Sequence, residues 1–289
     1  MSVPPWSHTS EVYFAARRGP PAVNLEKIVK QGQLLFAIAV MASGAEQLIC
    51  AGFGLAVRYI IPWVPGNPFL AYVTGLALLA AGVSIATDRR ARLSAFLLGF
   101  LFLLFVLLYW VPRVVESPLS VSVRTVVFET LAIGSSALTL AGFLPAKRWF
   151  LGRWERVING LIKSGPFLFG ASSVVFGVDH FLVLNVIASL VPAWLPGGLF
   201  WAYLTGAAFV AAGVSIATQR MARWGAFLLG TMFLLWFLLL HSPRVVSASL
   251  SHSPNSPNEW SSAFIALGMC GGAWISARHA MQTRGQNTK

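Results

Sequence analysis

The sequence predicts an all-α integral membrane protein whose eight transmembrane helices form two parallel four-helix repeats. First, 56% of the residues are hydrophobic and only 10% are charged, with a mean hydropathy of +0.71, whereas soluble domains contain about a quarter charged residues. Second, eight apolar stretches approach the ~20 residues that a helix needs to cross ~30 Å of hydrocarbon. Third, the two halves of the sequence repeat each other. This composition excludes soluble enzymes, disordered tails and disulfide scaffolds.

The apolar stretches follow one another with short connections. They cover residues 33–55, 69–87, 93–111, 125–144, 166–191, 199–218, 224–241 and 261–277. Residues 1–31 contain several prolines and lack an apolar core, so we expect a cytoplasmic N-terminal segment without a cleavable signal peptide. Residues 279–289 are expected to form a cytoplasmic tail.

Lysine and arginine are distributed unevenly between the two sides of the expected bundle. With the N-terminus in the cytoplasm, all but four of the 21 Lys and Arg residues fall on cytoplasmic segments, the others being Arg58, Arg113, Arg124 and Arg244. This asymmetry follows the positive-inside rule and predicts that both termini are cytoplasmic. The net charge of +12 is therefore explained by orientation in the lipid bilayer, and no nucleic-acid partner is expected.

The repeat is visible when the sequence is compared with itself. Residues 63–115 align with residues 194–246 at a constant offset of 131, and about two thirds of the positions are identical. Upstream the offset becomes 133 and pairs Glu46 with Asp179. The first repeat is expected over 32–144 and the second over 165–278. Because each repeat contains an even number of spans, both have the same orientation.

Residues 145–164 connect the two repeats and are basic and aromatic. Apolar residues recur there at helical spacing, namely Phe150, Leu151, Trp154, Val157, Ile158, Leu161 and Ile162. This pattern is typical of an amphipathic linker helix that lies in the membrane interface.

A few polar residues within the second repeat suggest a binding site. An ionised acid at the centre of a transmembrane helix costs roughly 2.5–3.5 kcal/mol, so such residues usually face a bundle interior or a wet cavity. At ~1.5 Å per residue from Lys163 and Arg223, His180 and His241 lie at similar depth. The candidate ligand-binding residues at that level are Asp179, His180, Trp194, Trp201, Tyr203, His241 and Arg244. Because successive helix residues point ~100° apart, one of Asp179 and His180 is expected to face a neighbouring helix.

The first repeat has the same layout with different chemistry. Its candidate counterparts are Glu46, Gln47, Trp63, Tyr72, Trp110, Arg113 and Glu129. Both histidines are replaced in this half, by Gln47 and Trp110, so we expect a repurposed or vestigial site there.

Structural roles explain several of these residues equally well. Asp179 could form a buried ion pair or hydrogen bond within the bundle, and His241 beside Pro243 could be a hydrated cap. Arg113 and Arg244 could satisfy carbonyls freed by the prolines that precede them.

The sequence assigns no catalytic residue and leaves open whether the protein is an enzyme. Cys50 and Cys270 do not form a Cys-x-x-Cys pair, so no metal site is expected. No phosphate-binding loop, nucleophile elbow or His-Glu-x-x-His motif is present. The sequence assigns no cofactor. A quinone is compatible with the polar residues at one depth, whereas two histidines without a further motif do not predict haem.

Several short motifs carry a family resemblance. They are Asp179-His180-Phe181, the stretch from Val191 to Gly197, Phe200-Trp201-Ala202-Tyr203, Ala211-Ala212-Gly213 and Pro243-Arg244-Val245. Together they resemble the DoxX-like membrane proteins over residues 165–280, and residues 32–143 resemble a second such unit that has lost the histidines. The resemblance implies two fused four-helix units in a bacterial cytoplasmic (inner) membrane and, for some family members, an association with quinone-linked sulfur oxidation.

Three hypotheses about function follow. The first is a quinone-interacting accessory of a membrane redox system, with its site in the outer half of the second repeat and a redox subunit as partner. The second is a small-molecule or proton transporter, because parallel repeats carry acids within the membrane. The third is a non-catalytic membrane scaffold.

Overall fold

The computed structural model describes residues 25–52, 68–145, 152–253 and 255–287. Within these ranges the chain is helical and contains no β-strand. Eight helical segments in the described part of the chain are long and apolar enough to cross a membrane. The predictions of an all-α chain and of eight candidate transmembrane helices are therefore confirmed.

The helices follow the chain with short connections. They are α1 (Leu25–Gly52), α2 (Pro68–Ala86), α3 (Ala91–Phe105), α4 (Val111–Glu116), α5 (Val121–Phe143), α6 (Glu155–Leu182), α7 (Leu184–Leu190), α8 (Gly198–Ala217), α9 (Ala222–Trp236), α10 (Ser242–Leu250) and α11 (Ser256–Asn287). One π-helical turn, Val106–Trp110, joins α3 to α4 into a single span, and another, Phe237–His241, joins α9 to α10.

Each π-helical turn precedes a proline near the start of the next helix, Pro112 in α4 and Pro243 in α10. Proline has no N–H to donate and its ring crowds the preceding turn, so the helix widens locally. In the second case the Ser242 hydroxyl donates to the Phe237 carbonyl at 2.7 Å. Arg244, one residue after the proline, forms an ion pair with Glu259 of α11.

Two tight turns of the same shape connect α2 to α3 and α8 to α9. Asp88 and Arg90 have positive φ in the first turn, and Gln219 and Met221 have positive φ in the second. In the second turn the Ser215 hydroxyl donates to the Arg220 carbonyl at 2.7 Å, and Ser84 donates to Arg89 in the same way. Residues that are 131 positions apart in the sequence therefore have the same local geometry in these two turns.

We call the end of the bundle at which α1 begins the basic end. An ion pair links α1 to the turn between α2 and α3 there. Lys30 of α1 donates to Asp88 at 2.6 Å, and the Gln33 amide donates to the other oxygen of Asp88 at 2.6 Å. The hydrogen bond from Lys30 is the main cause that lowers the pKa of Asp88 below its ordinary value. At the opposite end, which we call the far end, Gln47 of α1 donates to the Ala71 carbonyl of α2 at 3.1 Å. These contacts show that α1 and α2 are antiparallel.

Helices α5 and α11 occupy the centre of the bundle. Their spans are the most buried of the eight candidate spans, with 61% and 78% of the residues in the apolar stretch buried. The two helices pack against each other. Helix α1 packs along α2 and α11, and α6 packs along α5 and α8. The first long helix of each half of the chain is thus held by the last long helix of the other half.

Small residues allow these helices to approach closely. A Cβ atom on Gly271 of α11 would lie 2.5 Å from the Gly32 carbonyl oxygen of α1, and one on Gly165 of α6 would lie 2.8 Å from the Ser135 carbonyl oxygen of α5. Such backbone approach gives dispersion contacts that lipid tails cannot match, which is how helices associate in a bilayer.

The linker expected over 145–164 is different in the structure. Residues 155–164 are the first turns of α6, so the expected domain boundary at 164/165 falls inside one continuous helix. Ile158 and Ile162 are buried in one cluster with Leu138 and Ala141 of α5. The apolar face of this segment thus packs in part on α5, while Trp154 and Val157 are exposed. Residues 146–151, including Phe150 and Leu151, lie outside the described residues.

Replacing Gly165 with alanine is expected to destabilise the protein by about 1–3 kcal/mol, because the added Cβ overpacks the α5–α6 contact. Gly160 in the same helix provides a matched control, since a Cβ there would meet nothing within 4 Å. Gly160→Ala should leave stability unchanged or raise it through helix propensity. Thermal unfolding of both variants in detergent tests this, and equal effects would contradict the packing.

Candidate functional site

A cavity lies between α5, α6, α8, α9 and α11 in the far half of the bundle, and we call it the His180 cavity. Its volume is about 140 Å³. It is lined by Val121, Thr125, Glu129, Phe176, Asp179, His180, Val183, Ile187, Phe209, Phe233, Trp236 and Met269. The lining is mostly apolar and aromatic, with few polar groups, as is typical of small-molecule sites.

Asp179 of α6 is buried and forms an ion pair with Arg124 at the start of α5. The Arg124 Nε donates to Asp179 Oδ1 at 2.7 Å, Nη2 donates to the same oxygen at 2.5 Å, and the Thr125 hydroxyl lies 3.4 Å from Oδ2. The pair links α5 to α6 beside the cavity. Of the two roles considered for Asp179, the structure shows the buried ion pair.

His180 lies in an aromatic environment on the next position of α6. Its Nδ1 lies 2.7 Å from the Phe176 carbonyl oxygen, and its ring stacks on Trp236 with centroids 5.7 Å apart and an interplanar angle of 13°. The ring of Phe209 lies 5.1 Å away. The other ring nitrogen, Nε2, is buried and has no hydrogen-bond partner among the described residues.

Asp179 and His180 both border the cavity although they are adjacent in sequence. Asp179 is directed to α5 by Arg124, whereas the His180 ring contacts aromatic residues of α8 and α9. The cavity therefore lies between the directions of the two side chains. One of the two residues was expected to face a neighbouring helix. Asp179 does so, because it pairs with Arg124 of α5, and it also borders the cavity.

Glu129 of α5 is the third titratable residue of this cavity. One of its carboxyl oxygens, Oε2, is buried and has no hydrogen-bond partner within the described ranges. Glu129 also borders a smaller cavity of about 40 Å³, which we call the Ser43 cavity. The latter is lined by Ala39, Val40, Ser43, Leu78, Phe102, Glu129, Thr130, Ile133, Phe264, Ile265 and Gly268. One carboxyl group is thus shared between two cavities.

The sequence grouped Glu129 with the first repeat, yet the structure places it beside His180. The reason is that α5 packs along α6, so the last long helix of the first half forms a wall of the cavity in the second half. Arg124 and Thr125 reach Asp179 for the same reason.

Several of the other candidate residues are not part of the His180 cavity. Trp194 and Tyr203 are exposed on the outside of the bundle, and the Trp201 indole donates to the Pro196 carbonyl at 3.1 Å. The buried face of α8 carries Ala202 and Phe209. Tyr203 follows Ala202 by one residue, about 100° around the helix, and so it points away from the core.

His241 and Arg244 also lie apart from the cavity lining. Arg244 forms a bidentate ion pair with Glu259 of α11, with both N–O distances at 3.0 Å. His241 is in the second π-helical turn, and its buried Nδ1 has no hydrogen-bond partner in the described part of the chain. The two histidines predicted at one depth therefore do not line one site.

In the first half, polar side chains bind to neighbouring helices. Glu46 Oε1 accepts from the Ser261 hydroxyl of α11 at 2.6 Å, and Gln47 donates to α2. Trp110 is buried against Tyr109, over whose ring the Arg113 guanidinium lies at 4.3 Å. Tyr72 is exposed, and Trp63 lies outside the described residues.

Sequence reasoning missed Arg124, Phe209 and Trp236 as parts of the site. Arg124 could have been found by the depth counting that was applied to Asp179, because it is an arginine at the far end of a predicted span. The two aromatic residues carried no such signal, because apolar residues occupy most positions of their helices.

Comparisons with known proteins add one finding. Residues 169–264 match the family described as Domain of unknown function (DUF8561). This region contains the cavity residues of α6, α8 and α9 but not Glu129 or Arg124 of α5. No curated protein matches the sequence, and no solved structure does so either.

Replacing Arg124 with methionine should lower the free energy of unfolding by about 3–5 kcal/mol, because the Asp179 carboxylate would be buried without a partner. The double variant Arg124→Met with Asp179→Leu removes both charges and should recover much of that loss. Chemical denaturation of wild type, Arg124→Met, Asp179→Leu and the double variant in detergent measures the coupling. A double variant that is no more stable than Arg124→Met alone would contradict a direct ion pair.

Proposed function

We propose that the chain is a DoxX-like membrane protein made of two fused four-helix units that share one orientation, with both termini on the cytoplasmic side of a bacterial inner membrane. The sequence repeat, the two matching turns and the two π-helical turns support the fused units. The positive-inside asymmetry of lysine and arginine supports the orientation.

We further propose that the His180 cavity binds the head group of a quinone, and that the protein is a quinone-interacting accessory of a membrane redox system. The observation that carries this proposal is an aromatic cavity, formed by helices long and apolar enough to cross a membrane, that is lined by a histidine whose buried Nε2 has no partner among the described residues. A quinone head group is a flat ring with polar oxygens, and its tail is soluble only in lipid.

The size of the cavity fits a single ring. An engineered apolar cavity of about 150 Å³ in another protein holds one benzene molecule, and the His180 cavity has about 140 Å³. Phe209, Phe233 and Trp236 border it, and aromatic rings favour offset-stacked or edge-to-face contacts with a further ring. A ring-shaped ligand would thus fill the space and contact the polar atoms of His180 and Glu129.

The polar atoms of the cavity also explain why a hydrocarbon ligand would be a poor match. An unpartnered polar group in an apolar interior costs free energy of about 1–3 kcal/mol. Within the described ranges, His180 Nε2 and Glu129 Oε2 are two such groups. A ligand with ring oxygens would relieve this cost by hydrogen bonding, whereas a lipid chain would not.

His180→Ala should remove quinone that co-purifies with the protein, because the imidazole supplies both a hydrogen-bonding atom and one wall of the ring site. His241→Ala is the matched control, since His241 is the other histidine within the spans and does not line the cavity. Extraction of the purified proteins followed by mass spectrometry measures the quinone content. Equal content in wild type and His180→Ala would contradict the proposal.

A second function, proton permeation, is favoured by one observation. Glu129 borders both cavities and has a buried carboxyl oxygen without a partner in the described chain. Carboxyl groups placed between cavities within a membrane are a recurring feature of proton paths. The transporter hypothesis can therefore be tested at Glu129.

If protons cross the bundle through Glu129, liposomes containing wild-type protein should acidify faster than empty liposomes under a proton gradient, and Glu129→Gln should reduce that rate to the empty-liposome level. Glu46→Gln is the control, because Glu46 is a buried acid that lines neither cavity. A pH-sensitive dye inside the liposomes reports the flux. Wild-type liposomes as tight as empty ones would exclude this function.

A further inference from the structure

We infer that the His180 cavity prefers the hydroxylated, reduced form of its ring ligand, a hydroquinone, over the corresponding dione. This inference rests on the proposed function, that the cavity binds a quinone-type head group. It follows from the hydrogen-bonding state that the fold imposes on His180.

The first step concerns the proton on the imidazole. The Phe176 carbonyl oxygen can only accept a hydrogen bond, so the Nδ1 atom that lies 2.7 Å from it must carry the proton. In a neutral imidazole the other nitrogen then has a lone pair and no proton. Nε2 of His180 is therefore a hydrogen-bond acceptor.

The second step concerns the charge of the ring. A positively charged His180 would carry a second N–H, on a buried Nε2 that has no partner among the described residues. The neighbouring acid, Asp179, already forms an ion pair with Arg124 and so does not need a further cation. Burying an additional charge and an unpaired donor is costly, which favours the neutral ring.

The third step matches the ligand to these atoms. A hydroquinone hydroxyl can donate to His180 Nε2, whereas a dione oxygen has only lone pairs and would face another lone pair. The second hydroxyl of a hydroquinone can either donate to or accept from the Glu129 carboxyl group, so the diol is compatible with both protonation states of Glu129. The dione satisfies the cavity less well in each case.

The ring contacts do not distinguish the two forms. Trp236, Phe209 and Phe233 offer apolar surface that accepts a diol ring or a dione ring. The preference therefore depends on one acceptor atom, and the loss of one hydrogen bond in a buried site corresponds to about tenfold or more in affinity.

The test uses the full-length protein in detergent micelles and four soluble probes. The first pair is 2,3-dimethoxy-5-methylhydroquinone and its dione, measured under anaerobic conditions. The second pair is 4-methoxyphenol and 1,4-dimethoxybenzene, in which a methyl group replaces the hydroxyl proton and which are not two oxidation states of one compound. Isothermal titration calorimetry gives the dissociation constants, and quenching of tryptophan fluorescence gives an independent reading.

Wild-type protein should bind the diol about tenfold or more tightly than the dione, and the phenol more tightly than the dimethyl ether. His180→Phe keeps an aromatic ring beside Trp236 but removes the acceptor, so both preferences should disappear. His241→Phe should retain them, because that side chain does not line the cavity.

The outcomes separate the two proposals. Absence of binding for all four probes to wild-type protein would overturn the proposed function. Equal binding of diol and dione, with weaker binding of both to His180→Phe, would overturn the inference and leave the function standing. A preference that survives in His180→Phe would also overturn the inference. If His180→Phe does not elute as a folded species, the phenol and ether pair on wild-type protein still decides it.

Discussion

Hydrocarbon offers no hydrogen bonds, so each polar group within this bundle must find its partner in the protein. Most do so locally: hydroxyls within the spans donate to carbonyls three or four residues earlier, as in Ser135, Ser136, Thr139, Ser172 and Ser173. Asp179 and Gln47 instead bind neighbouring helices and so fix which helices are neighbours. Several buried side-chain atoms have no hydrogen-bond partner within the described ranges, and those of His180 and Glu129 belong to residues that border one cavity.

The interlocked packing has a consequence for that cavity. Because α6 packs on α5, the walls of the cavity come from both halves of the chain, and the ion pair beside it joins them. Residues 169–264, which match a domain of unknown function, supply the histidine and the aromatic rings. The first half supplies Arg124 and Glu129. Neither half contains the whole site.

Positions that align between the two halves of the sequence differ in size and polarity. At the offset of 131, Phe209 of the His180 cavity corresponds to Leu78 of the Ser43 cavity, while Phe233 corresponds to Phe102. At the offset of 133, His180 corresponds to Gln47, whose amide binds the Ala71 carbonyl of α2. Each of the two residues has one buried atom without a partner among the described residues, Gln47 Oε1 and His180 Nε2. His180 lines its cavity, whereas Gln47 does not line the Ser43 cavity. The difference explains why the larger, more aromatic cavity is the better candidate site.

Composition and length alone determined that the chain is helical and has eight candidate spans, because lipid permits few other solutions for long apolar stretches. The rarity of acids and histidines within those stretches was also enough to single out Asp179 and His180. Depth counting then failed for Trp194, Tyr203 and His241, since depth fixes the height of a residue but not its direction around the helix. Only the tertiary structure decided that α5 lies beside α6, and hence that Arg124 and Glu129 belong with His180. Helices that are apolar on every side carry no amphipathic stripe to show which face meets protein, so their neighbours are chosen by close packing of small residues across the fold.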